Sequence, residues 1–191
     1  MEKSSIEKEG EREMLQLCKV TDSLFISNAR SACSPELIQQ EAVTLCINVS
    51  KQQPFPTGRV STLRIPVYDD PNEDLYQHFD QCADAITKEA IRGGHSVVYC
   101  KNGRSRSATI CVAYLMKQQG LSLTEAFQTV KNARSVVEPN PGFWTQLEKY
   151  EQELKTRRPV QMHKPMRFLQ LSAERLLPWR RHSSQHKFSG I

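Results

Sequence analysis

The stretch HSVVYCKNGRSRSATICVAYLM, residues 95–116, decides the fold. Residues 96–100 form a compact apolar run that is typical of a buried strand, and the apolar residues after position 106 recur with helical spacing. The polar residues 101–105 join these two segments. The sequence therefore predicts a strand that passes through a tight loop directly into a helix.

This loop favours phosphate as its ligand. Where a loop closes onto a helix N-terminus, several backbone N–H groups point into one concavity, and the helix dipole adds positive potential. Gly103 allows the tight turn, and Cys100 stands at the mouth, where the same field stabilises a nucleophilic thiolate. Arg106 has a planar guanidinium that can hold two phosphoryl oxygens and the charge that develops on them.

Each of these residues also has an ordinary structural explanation. Cys100 on its own would be an inert thiol at a strand end, and Arg106 a surface residue at the start of a helix. Cys, Gly, Arg and Ser at these offsets arise by composition in only about one chain in a thousand. The combination therefore indicates a site that handles phosphate.

The remaining pattern predicts an α/β fold in which strands alternate with helices. Further strand-like runs lie at residues 23–27, 43–49 and 62–67. Helical spacing and a capping box indicate three more helices. The first has its apolar face at Leu75, Phe79, Cys82, Ile86 and Ala90, and the third at Phe143, Leu147, Tyr150 and Leu154. The second begins with the capping box of Ser122 and Glu125 and has its apolar face at Ala126, Phe127, Val130 and Ala133.

Charge divides the chain into three predicted segments. Residues 1–16 are predicted to be a flexible acidic segment, 17–154 the folded domain, and 155–191 a disordered basic tail. The tail holds nine Lys or Arg residues against one acidic residue, Glu174, although the whole chain carries a net charge of only +5. Such a tail can contact an acidic membrane surface, whereas no recognisable module favours nucleic acid as a partner.

Composition excludes several other classes of protein. The acidic N-terminus lacks the apolar run of a signal peptide, and no later stretch reaches transmembrane length. The six cysteines contain no CxxC pair and the five histidines are scattered, so the sequence predicts neither disulfides nor a metal site. We expect a monomer in the cytoplasm, and also in the nucleus.

The C-x5-R motif followed by Ser resembles the phosphate loop of the protein tyrosine phosphatase superfamily. Over residues 17–154 the chain resembles the small dual-specificity phosphatases, in the segments LFISNARSA, LCINVS, IPVYDD and EPNPGFWTQLEKYE. The resemblance implies a mostly parallel central sheet flanked by helices, a phosphocysteine intermediate, no cofactor, and phosphotyrosine and phosphoserine or phosphothreonine of proteins as substrates. It assigns phosphate binding to Lys101, Asn102, Gly103, Arg104, Ser105 and Arg106.

The resemblance also implies a general acid about thirty residues before the nucleophile. Asp69 lies 31 positions before Cys100 and is the first candidate, and the adjacent Asp70 is the second. Alternatively, both carboxylates only cap the turn before Pro71. Ser107 is assigned, again by resemblance, to stabilise the departing thiolate, unless it merely begins the helix.

Three residues depart from the family pattern. Tyr99 stands where most members have His, and we expect it to leave Cys100 less readily ionised and the enzyme slower, unless it is only a core aromatic residue. Lys101 and Arg104 make the loop basic, which keeps a phospholipid or phosphoinositide phosphatase as an alternative, unless both side chains point into solvent. A weakly active module that only binds phosphoproteins is a further alternative.

The segment after position 138 contributes two amides that match the family. Asn140 and Gln146 are expected to brace the loops near the site through their side chains.

Overall fold

Five strands form one sheet in the computed structural model, which describes residues 15–157. They are β1 (Cys18–Thr21), β2 (Leu24–Asn28), β3 (Val43–Asn48), β4 (Ser61–Arg64) and β5 (His95–Cys100), in the spatial order β1-β2-β5-β3-β4. β5 pairs in parallel with β2 and β3, and β3 pairs in parallel with β4, whereas β1 is antiparallel to β2. The predicted α/β fold with a mostly parallel sheet is confirmed, and Cys100 ends its central strand.

Six helices lie between and after these strands in the described part of the chain. They are α1 (Ala29–Ala32), α2 (Pro35–Gln40), α3 (Phe79–Ile91), α4 (Arg106–Gln119), α5 (Leu123–Ala133) and α6 (Pro141–Arg157), with a short 3-10 turn at Tyr76–His78 before α3. α3, α4, α5 and α6 contribute to the larger buried apolar cluster, while α1 and α2 contribute to a second, smaller one. The two clusters take alternate residues of β5, so Val98 and Cys100 belong to the larger cluster and Tyr99 to the smaller.

The predicted helices are confirmed, although Leu75 lies before α3, which begins at Phe79. Most of their predicted inward residues are buried, whereas Ala90, Phe127 and Ala133 are partly buried. Ser122 and Glu125 form the predicted capping box at the start of α5. Residues 107–116 of α4 are all buried, which makes α4 the central helix of its layer. α6 continues to Arg157 and so passes through position 154, where the sequence placed the end of the domain. The predictions for residues 1–14 and 158–191 lie outside the described residues.

Two strand predictions need correction. The strand predicted at 62–67 ends at Arg64 because Pro66 has no N–H with which to extend the ladder, although Ile65 still donates its N–H to the Asn48 carbonyl at 2.9 Å. β1 was missed because only Cys18 of its four residues is buried. So short an edge strand gives too little apolar alternation to be seen in sequence.

An ion network centred on Asp80 joins α3 to α4 and α6. Its carboxylate accepts hydrogen bonds from the Tyr150 hydroxyl at 2.7 Å and the Arg157 guanidinium at 2.9 Å, and pairs with Lys117 at 3.0 Å. Partial burial alone would raise the pKa of Asp80, but the hydrogen bonds from these three residues lower it to about 2. The network therefore favours the ionised carboxylate in the folded state.

Candidate active site

Cys100 and Ser107 face each other across the ends of β5 and α4. The Cys100 side chain is buried, and its Sγ lies 3.3 Å from the Ser107 Oγ, which is also fully buried. The structure thus brings together two of the residues predicted from the sequence. A hydroxyl at this position can donate a hydrogen bond to the sulfur and stabilise negative charge on it.

Gly103 lets the loop between β5 and α4 pack tightly against the end of β2. Its φ of +62° is in the left-handed region, and a Cβ at this position would lie 2.5 Å from the Ser27 carbonyl oxygen and 2.8 Å from the Asn28 nitrogen. The neighbouring Lys101 carbonyl accepts a hydrogen bond from the Ala29 N–H at 3.3 Å. Any larger residue at position 103 would therefore displace the loop from β2.

Arg134, at the end of α5, holds the same loop from its other side. Its Nε donates to the Gly103 carbonyl at 2.8 Å, and its terminal nitrogens donate to the Asn102 carbonyl at 3.1 Å and approach the Cys18 Sγ at 3.6 Å. Sequence reasoning missed this residue because it lies far from the loop in the chain, and a basic residue at a helix end is ordinary. The contacts stabilise the loop conformation with a charged donor.

One nitrogen of the Arg106 guanidinium is hydrogen-bonded, and another has no acceptor within the described range. One terminal nitrogen donates to the Val67 carbonyl at 3.2 Å, whereas the Nε is buried and has no hydrogen-bond partner among the residues that the structure describes. A buried guanidinium N–H without a partner is costly unless a ligand satisfies it. An oxyanion beside the loop would supply that acceptor.

The structure separates the two candidate acids. Asp69 is exposed, and its Oδ1 accepts a hydrogen bond from the Asn140 side chain at 2.9 Å. Asp70 instead accepts from the Asn72 backbone N–H at 2.8 Å, which is the turn-capping contact considered as an alternative for both residues. The geometry favours Asp69 as the residue directed toward the site.

Asn140 and Gln146 brace the loops as the sequence predicts. Asn140 donates its backbone N–H to the Ser105 hydroxyl at 2.9 Å, so a single residue ties the phosphate loop to Asp69. The Gln146 side chain accepts from the backbone N–H groups of Leu75 and Tyr76 and donates to the Glu73 carbonyl, at 2.8 to 2.9 Å. These amides fix the segment that carries Asp69 against the start of α6.

The two additional basic residues of the loop have different environments. Arg104 forms an ion pair with Glu138, and the Glu138 N–H also donates to the Arg104 carbonyl at 2.8 Å. The hydrogen bond and positive charge of Arg104 lower the pKa of Glu138, so the pair is fully ionised near neutral pH. Lys101 is exposed. The positive charge of Arg104 is thus balanced, which sequence reasoning could not foresee.

Tyr99 points away from the nucleophile, into the smaller apolar cluster. It is fully buried, and its hydroxyl donates to the Pro54 carbonyl at 2.7 Å. Burial raises the pKa of Tyr99, so the hydroxyl stays protonated and acts as a donor. Tyr99 therefore anchors the segment after β3 in addition to filling the core.

Two open cavities flank the phosphate loop, and Asp69 lines both. The larger, of about 690 Å³, is bordered by Asn102, the Arg104–Glu138 pair and Trp144. The smaller, of about 160 Å³, is bordered by Lys101 and Arg106 together with residues 50–53 and Tyr68. A substrate chain that crosses Asp69 would contact both.

Within residues 15–157, no cluster of three or more His, Cys, Asp or Glu side chains is arranged to hold a metal ion. In the same range, no helix is long and apolar enough to cross a membrane.

Nucleophile, phosphate loop and parallel sheet together define a cysteine-dependent phosphatase domain. The sequence profile of the family "Dual specificity phosphatase, catalytic domain" matches residues 24–153, and the chain belongs to this family. Dual specificity phosphatase 28 of Homo sapiens is 52% identical over 150 residues, which cover 78% of this chain and 85% of that protein. Dual specificity protein phosphatase 14 of Mus musculus is 38% identical over 147 residues, covering 76% and 74% respectively.

The solved structures agree with the sequence relatives. The crystal structure of human dual specificity phosphatase 28 superposes with a TM-score of 0.71 at 54% identity, over 73% of this chain and 95% of that one. The family and the fold expected from the sequence are therefore confirmed, and the chain carries a dual specificity protein phosphatase domain.

Proposed function

We propose that the protein hydrolyses phosphotyrosine and phosphoserine or phosphothreonine in protein substrates through a phosphocysteine intermediate on Cys100. The observation that carries this proposal is the unpartnered, buried Nε of Arg106 beside a buried cysteine whose sulfur contacts a hydroxyl. A nucleophile and a donor with no other acceptor meet at one loop, and phosphate has the shape and charge to bind both.

In the first step the Cys100 thiolate attacks phosphorus, and a sulfur–phosphorus bond forms as the bond to the leaving oxygen breaks. Arg106 and the loop N–H groups hold the phosphoryl oxygens and the charge that develops on them. Asp69 gives its proton to the departing oxygen, which leaves as a neutral hydroxyl. Asn140 supports this role because it holds the Asp69 carboxyl in place at 2.9 Å.

In the second step water attacks the phosphocysteine. The ionised Asp69 takes a proton from that water, the sulfur–phosphorus bond breaks, and inorganic phosphate is released. The Ser107 hydroxyl, 3.3 Å from the sulfur, donates to the departing thiolate and lowers the cost of expelling it. Both steps use the same acid in opposite protonation states.

Turnover is slow in this proposal because of Tyr99. Its hydroxyl donates to the Pro54 carbonyl at 2.7 Å, outside the loop that follows Cys100. It cannot orient the cysteine backbone in the way that the family's His is expected to do. Catalysis therefore depends more heavily on the loop N–H groups, Arg106 and Ser107.

Protein substrates are favoured over phospholipids by the Arg104–Glu138 pair. The lipid alternative depended on two extra positive charges in the loop, and one of them is balanced by a carboxylate. Only Lys101 remains as an added charge that is free to meet an acidic head group. A module that only binds phosphoproteins is less favoured, because this chain has both the cysteine and the acidic residues that turnover requires and binding alone does not.

The proposed setting is the cytoplasm and nucleus, with the protein acting as a monomer. All six cysteines are free thiols, which supports a reducing compartment. The proposed contact between the basic tail and acidic membranes concerns residues that lie outside the described range.

The test is turnover of a small aryl phosphate by the wild type and by Cys100→Ser. We expect hydrolysis that is lost in the variant, and equal rates would refute the proposed nucleophile. Phosphotyrosine and phosphothreonine peptides and phosphoinositide vesicles are assayed alongside. Faster release of phosphate from the vesicles than from the peptides would favour the lipid alternative.

A further inference from the structure

The smaller cavity beside Arg106 contains a basic residue that the catalytic cycle does not use. Lys51 follows β3 and lines this cavity of about 160 Å³ together with Lys101 and Arg106. The cavity is large enough for one carboxylate or phosphate group. Lys51, Lys101 and Arg106 border the cavity, and the carboxylates that face them are Asp69 in the lining and Glu73, which pairs with Lys51. The positive charges still exceed the negative ones, so the potential favours an anion.

The ammonium group of Lys51 is held at the rim of the cavity. Its Nζ lies 3.8 Å from the centre of the Tyr68 ring, and 3.5 Å from the Glu73 Oε1. The Tyr68 ring is half exposed and lines the same cavity. Cation–π attraction and the ion pair reduce the freedom of an otherwise flexible side chain.

The segment that carries Lys51 is anchored at several points. The Asn48 side chain donates to the carbonyls of Gln53 at 2.8 Å and Pro54 at 3.2 Å, and the Tyr99 hydroxyl donates to Pro54 at 2.7 Å. Arg64 donates to the carbonyls of residue 50 and Gln53, both at 3.0 Å. A segment fixed in this way loses little entropy when a ligand binds.

We propose that Lys51 and Lys101 form an anion subsite beside the phosphate loop, which binds a second acidic group of the same peptide substrate. This inference rests on the proposed function, because Arg106 is common to both sites. A carboxylate or a second phosphate on a residue next to the phosphoresidue is the group that this cavity can reach.

A peptide is the favoured substrate because the site continues on both sides of Asp69. The larger cavity offers Trp144 and the neutral Arg104–Glu138 pair, which suit an uncharged side chain rather than a further phosphate. The two cavities therefore differ in charge. A peptide lying across them would place its acidic group on the Lys51 side.

The test compares three phosphotyrosine peptides that differ at one position beside the phosphotyrosine, with Gln, Glu or phosphoserine there. In the wild type we expect kcat/KM for the Glu peptide to exceed that for the Gln peptide about threefold to fivefold, the upper part of the range of an exposed charge pair. The phosphoserine peptide, which carries more charge, should exceed both. Comparing kcat/KM for the Glu and phosphoserine peptides shows whether the subsite prefers a carboxylate or a phosphate.

The variants are Lys51→Gln, Lys51→Arg and the control Lys149→Gln. Lys149 also lies over a tyrosine ring, at 4.6 Å from the centre of Tyr76, but it lines neither cavity. We expect Lys51→Gln to lose most of the preference for acidic peptides, and Lys51→Arg and Lys149→Gln to keep it. Each preference is a ratio measured within one variant, so a loss of folded protein cancels.

A wild type without preference for the acidic peptides, or a preference that survives Lys51→Gln, would overturn the subsite. Phosphate release from phosphoinositide vesicles that falls in Lys51→Gln, while the peptide ratios stay unchanged, would overturn the peptide assignment. A wild-type preference that persists in about 1 M salt, where the Debye length is about 3 Å, would also contradict it. Failure of the proposed function gives a different result, namely no Cys100-dependent hydrolysis of any peptide.

Discussion

Replacing Asp69 by Asn tests the assignment of the general acid. The substitution keeps the shape of the side chain, and the new amide oxygen can still accept the hydrogen bond from Asn140 at 2.9 Å. It removes the carboxyl that gives a proton in the first step and takes one in the second. Asp70→Asn is a matched control, because its amide oxygen can still accept from the Asn72 N–H at 2.8 Å.

The size of the effect follows from the exposure of Asp69. A positioned general acid contributes roughly a hundredfold to ten-thousandfold. Asp69 is exposed, so water can partly replace it as a proton source, and we expect the low end of this range. For Asp69→Asn, kcat/KM should therefore fall about a hundredfold on a phosphotyrosine peptide. Asp70→Asn should change it less than about twofold.

The assay measures kcat/KM, which reports the first step, for two substrates with different leaving groups. A nitrophenolate leaves without much help from an acid, so Asp69→Asn should lower kcat/KM for nitrophenyl phosphate much less than for the phosphotyrosine peptide. Circular dichroism of each variant checks that the fold is retained. Equal kcat/KM values for Asp69→Asn and the wild type on the peptide, or a larger loss in Asp70→Asn, would refute the assignment.

Three further predictions concern neighbouring parts of the molecule. Tyr99→His should raise turnover near neutral pH and shift the acidic limb of the rate profile to lower pH, and identical profiles would refute the role of Tyr99. Arg134→Met should lower the unfolding free energy measured in urea by about 2 kcal/mol, because two loop carbonyls lose a charged donor. A loss below about 0.5 kcal/mol would contradict the stabilising role of Arg134. Hydrogen bonds lower the pKa of Asp80 from its ordinary value of 3.8 to about 2, so its contribution to stability is complete above about pH 4 and is lost as the pH falls through about 2. Because the side chain is 43% exposed and solvent screens the pairs, we expect Asp80→Asn to cost only about 1 kcal/mol at pH 7, a difference that should shrink on acidification.

The sequence predicted the core of the fold because its strongest patterns are local. The strand from 96, the loop and α4 are contiguous, and their periodicity changes sharply at Cys100. The position of β1 beside β2 depends on pairing across the sheet rather than on its own composition. Its half-exposed residues gave no pattern to detect.

The residues of the candidate site likewise differ in whether local sequence or tertiary contacts identify them. Cys100, Arg106 and Ser107 could be named in advance because they lie within eight consecutive residues. The choice between Asp69 and Asp70 could not be made from spacing, because it depends on which carboxyl Asn140 contacts.

Three other contributors could not be recognised before the chain was folded. Arg134, Glu138 and Lys51 reach the phosphate loop or its flanking cavity from separate segments of the chain. Each is an ordinary surface charge in the sequence. Only tertiary contacts give these charges a role.

The most direct measurement of the central claim is the site of the phosphoryl group on the enzyme during turnover. Asp69→Asn is mixed with nitrophenyl phosphate, denatured rapidly, digested and mapped by mass spectrometry, because this variant forms the intermediate but hydrolyses it slowly. We predict one phosphoryl group on Cys100, and none when Cys100→Ser is added to the same background. A phosphoryl group on any other residue, or sustained turnover by Cys100→Ser alone, would contradict the account.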